Sequence, residues 1–383
     1  MRAGDRHCSL FAAGVGLPTT NFSWPDPDGY SLVLPEPAPA GRWQEPADFE
    51  APLIGEVEAR ELFAGIARTL ERELPGARLA VVRLDEGSAE SVLVSSSGID
   101  VNWRHRAAFL RIEAEWRGAR VEVERSERAA RLFHPVALAQ VLADRLVVLE
   151  NGTSPGKDRG EFVLAPAVGA RILASLEPML IGEGAAERAR GILDGSGRAM
   201  SPSKFTVVDD GALAHGLLTS PVDGEGVPQG RRVLVEKGSY RAPIRDWRVA
   251  KSGDPVFGCI RRSSWRDIPR VGASHLFVDP DPQCRAGELI AGVTRGYYLV
   301  EVTGQPRVDW KSGRLSVPVC GFHLDQGKAR APLAGAWFET TVAGFFRSVQ
   351  VAARDLAFFP LAAMVGSPSL LVSGPEIRSS PSY

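Results

Sequence analysis

A turn rich in glycine and proline restricts the backbone of this chain more strongly than any other segment. Residues 219–228 read TSPVDGEGVP, and residues 231–250, which follow closely, read RRVLVEKGSYRAPIRDWRVA. Proline fixes its own φ angle and glycine accepts conformations that other residues avoid, so the first segment predicts a rigid turn. The apolar residues that open the second segment predict a strand. The middle of the chain is therefore expected to be a turn that feeds a β-sheet.

The turn also carries side chains that are candidates for a functional site. Ser220, Asp223 and Glu225 all lie within it. Loops that a rigid scaffold holds in place often carry binding or catalytic residues, which favours a site here. The alternative is a solvated turn with no chemistry of its own, because Asp, Gly and Pro are also the ordinary residues of turns.

Composition and charge describe a globular protein without an affinity for polyanions. Apolar residues make up 44% and charged residues 24% of the 383 residues, and this length favours two domains. The net charge is −1, so nothing steers the chain towards nucleic acid or an anionic membrane surface. Arginine far outnumbers lysine, which indicates the GC-rich coding of a bacterium rather than recognition.

Cysteine placement and hydropathy predict a cytoplasmic location. No run approaches the 18 apolar residues of a membrane span, and the N-terminus lacks the charged-then-apolar order of a signal peptide. The cysteines stand far apart without a CxxC pair, which is typical of reduced thiols and argues against a structural zinc site. They are Cys8, Cys259, Cys284 and Cys320.

The hydrophobic pattern predicts an α+β fold in three parts. Residues 1–50 form an extended Pro/Gly-rich arm, residues 51–150 an α+β domain with an antiparallel sheet, and residues 160–383 a β-rich domain beyond a polar hinge at 149–160. The predicted helices span 56–74, 134–148, 168–181, 285–294 and 340–353. The predicted strands span 79–84, 91–96, 107–116, 120–124, 162–165, 205–208, 232–236, 274–278, 297–303, 314–319 and 331–333.

Several phrases, in the same order along the chain, resemble the TldD/PmbA family and specifically its PmbA (TldE) branch. They include PSKFTVVDDGALAHGLLTSPVDGEGVP, RRSSWRDIPRVGASHLFVDP and the pieces SVQVAARDL and GSPSLLVSG. The resemblance is good over residues 160–375 and fainter over 91–147, whereas residues 1–75 differ from the usual start of the family. It implies two domains, an N-terminal α/β sandwich-like domain and a β-rich C-terminal domain of the TldD/PmbA type.

The resemblance also locates the helix on which active family members hold a metal. That helix carries HExxxH, and a later cysteine completes the ligands: the imidazoles bind zinc and the carboxylate takes a proton from its bound water. In this chain the matching helix is APAVGARILASLEPML, residues 165–180, and the three positions hold Ala174, Ser175 and Met179. Pro178 should kink or end the helix. The resemblance thus implies no catalytic residue and no cofactor in this chain, with zinc in a partner subunit.

Two other groups of residues leave alternatives open. Asp209 and Asp210, or the acids of the turn, could bind a divalent cation through oxygen. Ser263 and Ser264, beside Arg261 and Arg262, could contact a peptide backbone or carboxylate, although surface ion pairs are the favoured role. We group Ser220, Asp223, Glu225, Arg262 and Ser263 as a candidate substrate-chamber loop.

Three functions fit these observations. The first is a zinc-less, TldE-like subunit that completes the substrate chamber of an HExxxH-bearing partner in a heterodimeric metallopeptidase, where an extended peptide would add to a strand edge. The second is the same kind of subunit in natural-product biosynthesis, where the complex cuts an amide or C–N bond in a small molecule. The third is a stand-alone homodimeric regulatory or binding protein.

Overall fold

A computed structural model describes residues 49–95, 97–193, 203–249, 257–262 and 269–379, together with Pro35, Trp43 and two short strands near the N-terminus. These strands, β1 (Arg2–Ala3) and β2 (Arg6–His7), pair antiparallel. The rest of the predicted arm at 1–50 lies outside the described residues, apart from its last two. The fold is mixed α and β, as the sequence predicted. None of the described helices is long and apolar enough to cross a membrane.

The first unit of the fold is a three-stranded antiparallel sheet covered by two helices. Its elements are α1 (Glu56–Glu73), β3 (Arg78–Val94), β4 (Asp100–Trp116), β5 (Ala119–Glu127), a 3-10 turn (Ala130–Leu132) and α2 (Pro135–Asn151). Helix α1 begins after Gly55, whose N–H donates to Glu58 Oε2 at 2.8 Å. Helix α2 begins at Pro135, where the missing N–H costs nothing. Helix α1 packs on α2 and β3, and α2 packs on β5 and β4, around a core that includes Ile66 and Leu110.

A buried ion pair ties the chain that enters this unit to the sheet. Arg106 on β4 and Glu86 on β3 have side chains that are 1% and 3% exposed, with Arg106 Nη2 at 2.9 Å from Glu86 Oε1. Burial alone would raise the pKa of Glu86, but backbone N–H donors and Arg106 together lower it. The backbone partners of the pair are Ala51 O, Pro52 O, Ile54 N and Ala130 N.

The second unit contains most of the strands. Those strands are β6 (Asp158–Leu164), β7 (Val207–Asp210), β8 (Arg231–Glu236), β9 (Ser239–Tyr240), β10 (Ile260–Arg261), β11 (Arg270–Val271), β12 (His275–Val278), β13 (Arg295–Val302), β14 (Arg307–Val308), β15 (Arg314–Asp325), β16 (Lys328–Thr341), β17 (Val349–Ala352), β18 (Ala357–Pro360), β19 (Met364–Ser367) and β20 (Leu370–Ser379). Its helices are α3 (Pro166–Ser175), α4 (Glu177–Leu180), α5 (Ala185–Ile192), α6 (Ala286–Gly292) and α7 (Val342–Ser348), with a 3-10 turn at Trp247–Val249.

A closed barrel lies at the centre of this unit. Five strands pair in the order β13, β6, β20, β16 and β15, and β13 pairs back onto β15, which closes the ring. Aromatic rings fill part of the interior: Phe162 stacks on Tyr297 with centroids 5.3 Å apart and meets Phe338 edge-on at 5.2 Å. The barrel is therefore a packed core rather than a channel.

An open six-stranded sheet stands beside the barrel and carries the turn that the sequence singled out. Its strand order is β18, β19, β12, β7, β8 and β9, with only the pair of β12 and β19 parallel. Strands β7 and β8 are the two that flank residues 211–230, so the turn projects from one end of this sheet. One continuous core joins the barrel and the open sheet.

Helix α3 lies against β19 at a distance that only glycine allows. A Cβ atom at Gly169 would stand 2.2 Å from Ser367 Oγ and 2.8 Å from Ser367 Cβ. We expect Gly169→Ala to lower the free energy of unfolding by about 1–3 kcal/mol, because the helix must move off the strand. Gly191→Ala on α5 is the matched control: its Cβ would meet no atom within 4 Å. Denaturant unfolding should show the control gaining about 0.5–1 kcal/mol, and equal gains in both variants would contradict the close packing.

Several sequence predictions about elements were wrong in detail. The helix predicted at 340–353 ends at Ser348 and continues as β17. The two strands predicted at 79–84 and 91–96 are one strand, β3. Helix α5 and strands β18 and β19 were not predicted, since elements of only four to eight residues carry little periodic signal. The domain boundaries at 51–150 and 160–383 stay predictions.

Candidate functional site

One carboxylate holds the turn at residues 219–228 in place. Asp223 is buried, and its Oδ1 accepts hydrogen bonds from the N–H groups of Glu225 at 2.9 Å and Val227 at 3.0 Å. Its Oδ2 accepts from the N–H groups of Cys259 and Ile260, both at 2.9 Å. Four accepted bonds fill the lone pairs of a carboxylate. Asp223 therefore joins the turn to a segment far along the chain, and its oxygens are occupied by backbone groups.

The second acid of the turn forms a partly buried ion pair. Glu225 Oε2 accepts from Trp247 Nε1 at 2.9 Å and from Arg248 Nη2 at 2.7 Å. The guanidinium of Arg248 also lies over the Trp247 ring, 4.8 Å from its centroid. The two acids of the turn thus have different roles, one as an internal clamp and one as a bridge to the 3-10 turn at Trp247–Val249.

The other members of the candidate loop are divided between the two sides of the turn. Ser220 Oγ donates to Val222 O at 2.7 Å, which stiffens the turn from within. Arg262 Nε lies 3.3 Å from Gly224 O, so this arginine reaches the tip of the turn from β10. Ser263 lies outside the described residues. The structure thus brings Ser220, Asp223, Glu225 and Arg262 together at one end of the open sheet.

A buried histidine fixes the start of the same loop. His275 Nε2 accepts the N–H of Leu218 at 3.1 Å, and Nδ1 lies 2.9 Å from the carbonyl oxygen of Asp210. Because Nε2 is an acceptor, Nδ1 carries the proton and donates to Asp210. Gly216 permits this approach, since a Cβ there would lie 2.6 Å from two atoms of the imidazole. The ring is therefore neutral and held in one tautomer.

The protonation of His275 should be coupled to stability. Burial lowers its pKa to about 4, with a smaller contribution from the charge of Arg261, against an ordinary value of 6.5. The unfolded chain then binds more protons than the folded chain between these values, so stability falls as pH drops from about 6.5 to about 4, by about 3 kcal/mol in total.

Site-resolved titration can isolate this contribution from the carboxylates. We expect the imidazole proton resonances of His275 in NMR spectra to stay unchanged from pH 8 down to about 5. Titration of His275 near pH 6.5 would contradict the clamp. The difference in unfolding free energy between the native chain and His275→Asn should shrink as the pH falls through this window.

The paired aspartates behind the loop do not form a cation site. Asp209 is buried, its Oδ1 accepts from Ser274 N–H at 2.8 Å, and its Oδ2 lies 3.4 Å from Arg232 Nε. Burial raises its pKa, while the charges of Arg232 and Arg261 oppose that rise. Two guanidinium groups beside the carboxylate would repel a divalent cation. Within the described ranges, no group of three or more His, Cys, Asp or Glu could hold a metal ion.

The helix that matches the metal motif is interrupted between its motif positions. Helix α3 ends at Ser175, Leu176 caps it, and α4 then begins with Pro178 in its first turn. Ala174 and Ser175 are half-buried, but Met179 has no exposed surface and belongs to the continuous core. The three positions therefore do not share one continuous helix face.

A small pocket, which sequence reasoning missed, opens between the loop and the N-terminal sheet. His215 stands at its rim with a φ of 64°, a left-handed conformation that is uncommon outside glycine. Burial lowers the pKa of His105, which also lines the pocket. The two histidines are 110 positions apart and no spacing relates them, so only the fold could reveal the pair. The lining residues are Trp43, Arg104, His105, Arg106, Arg128, His215, Gly216, Leu217 and Thr219.

Sequence comparison matches most of the second unit. The pattern of the family described as PmbA/TldA metallopeptidase C-terminal domain matches residues 157–379. An uncharacterized protein of Methanocaldococcus jannaschii is 26% identical over 192 residues, which are 49% of this chain and 44% of that protein. The chain thus matches less than half the length of this curated relative.

Solved structures share the fold across nearly the whole chain. TldE from Thermococcus kodakarensis superposes with a TM-score of 0.77 at 17% identity and covers 93% of this chain and 81% of its own. A proposed DNA gyrase modulator from Thermotoga maritima superposes with a TM-score of 0.74 at 16% identity, over 91% of this chain and 81% of that protein. A second proposed DNA gyrase modulator, from Bacteroides thetaiotaomicron, superposes with a TM-score of 0.66 at 18% identity, over 91% of this chain and 78% of that protein. At these identities the similarity establishes the fold alone.

Proposed function

The chain belongs to the PmbA/TldD family, and from that membership we propose that it is a zinc-less, TldE-like subunit of a two-chain metallopeptidase or amide hydrolase. Its role is to complete the substrate chamber of a partner chain that carries HExxxH and binds the zinc. The substrate class is an extended peptide or a small amide. The chain itself supplies no catalytic residue and no metal ligand.

The observation that carries this proposal is the state of the motif helix. A zinc ligand pair needs two imidazoles on one helix face and an open position for water. Here the positions hold Ala174, Ser175 and Met179, the helix breaks at Leu176, and the last position faces the core. The acids of the candidate loop support the same proposal, since Asp223 and Glu225 are engaged by groups of this chain.

Reconstitution with a partner tests the proposal. The full chain should be co-expressed with a TldD-like chain that carries HExxxH, and the pair purified through a tag on this chain. We expect a stable complex with one zinc per heterodimer and hydrolysis of unstructured peptides, whereas the chain alone should hydrolyse none. A partner in which the first motif histidine is replaced by alanine is the control, and it should assemble without activity. If this chain forms no complex with any such partner, the proposal is wrong.

Restoring the motif residues should not restore a metal site. We expect the combined variant Ala174→His, Ser175→Glu and Met179→His to bind no stoichiometric zinc, because position 179 is buried and lies beyond the helix break. Placing an imidazole there should also cost about 2–3 kcal/mol of stability. Metal analysis by mass spectrometry and thermal unfolding measure both effects. The double variant Ala174→His and Ser175→Glu, which leaves the core intact, is the control; one tightly bound zinc in the triple variant would contradict the inference that the helix break rules out a metal site here.

Two alternatives share parts of this evidence. The natural-product version of the complex differs only in substrate, so peptide and small-amide libraries tested on the reconstituted pair would separate the two. A stand-alone regulatory homodimer is motivated by the names of two structural neighbours, which are described as DNA gyrase modulators. The net charge of −1 disfavours direct DNA contact. A monodisperse homodimer that ignores TldD-like chains would favour this alternative.

A further inference from the structure

The hairpin of β3 and β4 projects beyond the third strand of its sheet. The pairing of β5 with β4 runs from Ala108 to Trp116, whereas β3 pairs with β4 up to Val94 opposite Asp100. In the part of the chain that the structure describes, residues 87–107 are therefore two strands without the third, and we call them the ribbon. Because an isolated two-stranded hairpin is marginally stable in water, the ribbon is expected to be held by contacts outside its own sheet.

The tip of the ribbon carries a buried apolar side chain. The N–H of Ser95 donates to the carbonyl of Ile99 at 2.8 Å, and the N–H of Gly98 donates to the carbonyl of Ser95 at 3.0 Å, so the hairpin turn is closed. Ile99 is only 4% exposed. The tip of a projecting hairpin faces solvent unless another segment covers it, so the burial of Ile99 requires such a segment.

The loop at 219–228 supplies that segment. A Cβ atom at Gly226 would stand 2.5 Å from Ile99 Cδ1 and 3.2 Å from its Cγ2, so the isoleucine lies directly on the backbone of this glycine. Gly226 has a φ of 97°, a conformation that other residues rarely adopt, and its N–H donates to the carbonyl of Asp223 at 3.2 Å. The glycine is thus required both for the turn and for the contact.

The ribbon meets the second unit at another point, nearer its base. Arg104 and His105 of the ribbon line one pocket together with His215 and Thr219, which lie before the turn and at its first residue. Six residues separate Ile99 from His105, a distance of about 20 Å along an extended strand. The ribbon therefore lies across residues 215–226, with its tip on the end of this segment and its middle beside the start.

We propose that the ribbon is a strap that positions the candidate substrate-chamber loop, and that Ile99 is a positioning residue acting through Gly226. Asp223 clamps the turn from within through backbone hydrogen bonds, whereas Ile99 fixes its outer surface by apolar contact. The first unit thereby sets where the loop stands. The chamber role rests on the proposed function, but the positioning is a property of this chain alone.

Amide hydrogen exchange of the full chain alone tests the positioning. We expect Ile99→Ala to accelerate exchange at Gly226 and Val227 by about tenfold or more, because both N–H groups are protected by hydrogen bonds to Asp223 that depend on the shape of the turn. Ile99→Val should stay near the native rates. Val92→Ala, at a ribbon position that is 66% exposed, is the matched control and should leave both rates unchanged. Unchanged rates in Ile99→Ala, or an equal acceleration at the amides of β6, would overturn the proposal.

A second variant shows whether Ile99 acts through Gly226. In the native chain, the methyl group of Gly226→Ala meets both a strained backbone and the Ile99 side chain, so we expect exchange at Val227 to accelerate by about tenfold or more. In the Ile99→Ala background that space is open and only the backbone strain remains, so the same substitution should have a smaller effect. Independent effects of the two substitutions would contradict the proposed contact.

Kinetics of the reconstituted pair test the role of the strap in the chamber. With a partner that carries HExxxH, Ile99→Ala should raise the KM for an unstructured peptide by about fivefold or more and change kcat less, because the loop shapes binding and supplies no catalytic group. Ile99→Val should keep the native KM. An unchanged KM in Ile99→Ala would overturn the chamber role. If no partner confers activity, the proposed function fails, while the exchange rates still decide the positioning.

Discussion

Replacing Arg106 by methionine is expected to lower the free energy of unfolding by about 3–5 kcal/mol, the largest loss we expect from a single substitution outside the apolar core. Its partner Glu86 would remain in a site where its side chain is 3% exposed, with two backbone donors but no cation. The carbonyls of Ala51 and Pro52 would lose their donors as well. Urea unfolding of the native chain and the variant measures the loss.

Two comparisons make this expectation specific. Arg83→Met removes an exposed ion pair with Asp85 on the same strand as Glu86, and it should change stability by less than about 1 kcal/mol. The double variant Arg106→Met with Glu86→Leu removes both charges, so it should recover most of the loss. If the single and double variants are equally unstable, the cost comes from packing and not from the unpaired carboxylate. Limited proteolysis should cut the single variant near residues 51–54.

Replacing Asp223 by alanine is expected to cost about 4 kcal/mol, because four backbone N–H groups lose a shared acceptor. Each unsatisfied buried donor costs about 1–3 kcal/mol, and relaxation of the turn recovers part of the sum. Asp223→Asn should cost less than alanine, since its amide oxygen still accepts from one side while its NH₂ faces the donors on the other. Thermal and denaturant unfolding measure both variants.

A loss of local order should accompany the loss of stability at Asp223. Amide hydrogen exchange should accelerate at Val227, Cys259 and Ile260, three of the four residues whose N–H groups donate hydrogen bonds to Asp223. Glu225→Gln is the matched control in the same turn. It weakens a partly buried ion pair to Arg248 but keeps an acceptor oxygen for Trp247, so we expect a change of about 1 kcal/mol and unchanged exchange at the Asp223 partners. Equal effects at the two positions would mean that Asp223 is not the clamp.

The sequence predicted the long periodic elements well and failed where pairing partners decide the outcome. Helix α1 was predicted within one residue at each end, because its apolar spacing and its stop at Pro75-Gly76 are local signals. Strand β3 was split in two, because Glu86, Gly87 and Ser88 look like a turn. They stay extended because each pairs in register with β4, with Gly87 opposite Ala107. Such pairing is a property of the fold and leaves no trace in a short window.

The site shows the same division between local and distant information. An acid followed by a glycine can be recognised as part of a turn, but nothing near Asp223 indicates that half of its hydrogen bonds come from residues 259 and 260. His275 is likewise one of six scattered histidines until the fold places it against Gly216. The break in the motif helix was predictable, because Pro178 acts on its immediate neighbours.

Closure of the barrel has a consequence for how the chain is made. Strand β20 lies between β6 and β16, and Leu164 on β6 pairs with Leu370 on β20. Because Leu370 is synthesised about 200 residues later, β6 cannot be paired on both edges until almost the whole chain has been made. The three-stranded sheet of the first unit has mostly local contacts and can form early in synthesis. Until then, the incomplete barrel has unpaired strand edges, which can pair with other chains and lead to aggregation. We therefore expect one edge of β6 to stay unpaired, and open to aggregation, until β20 has been synthesised.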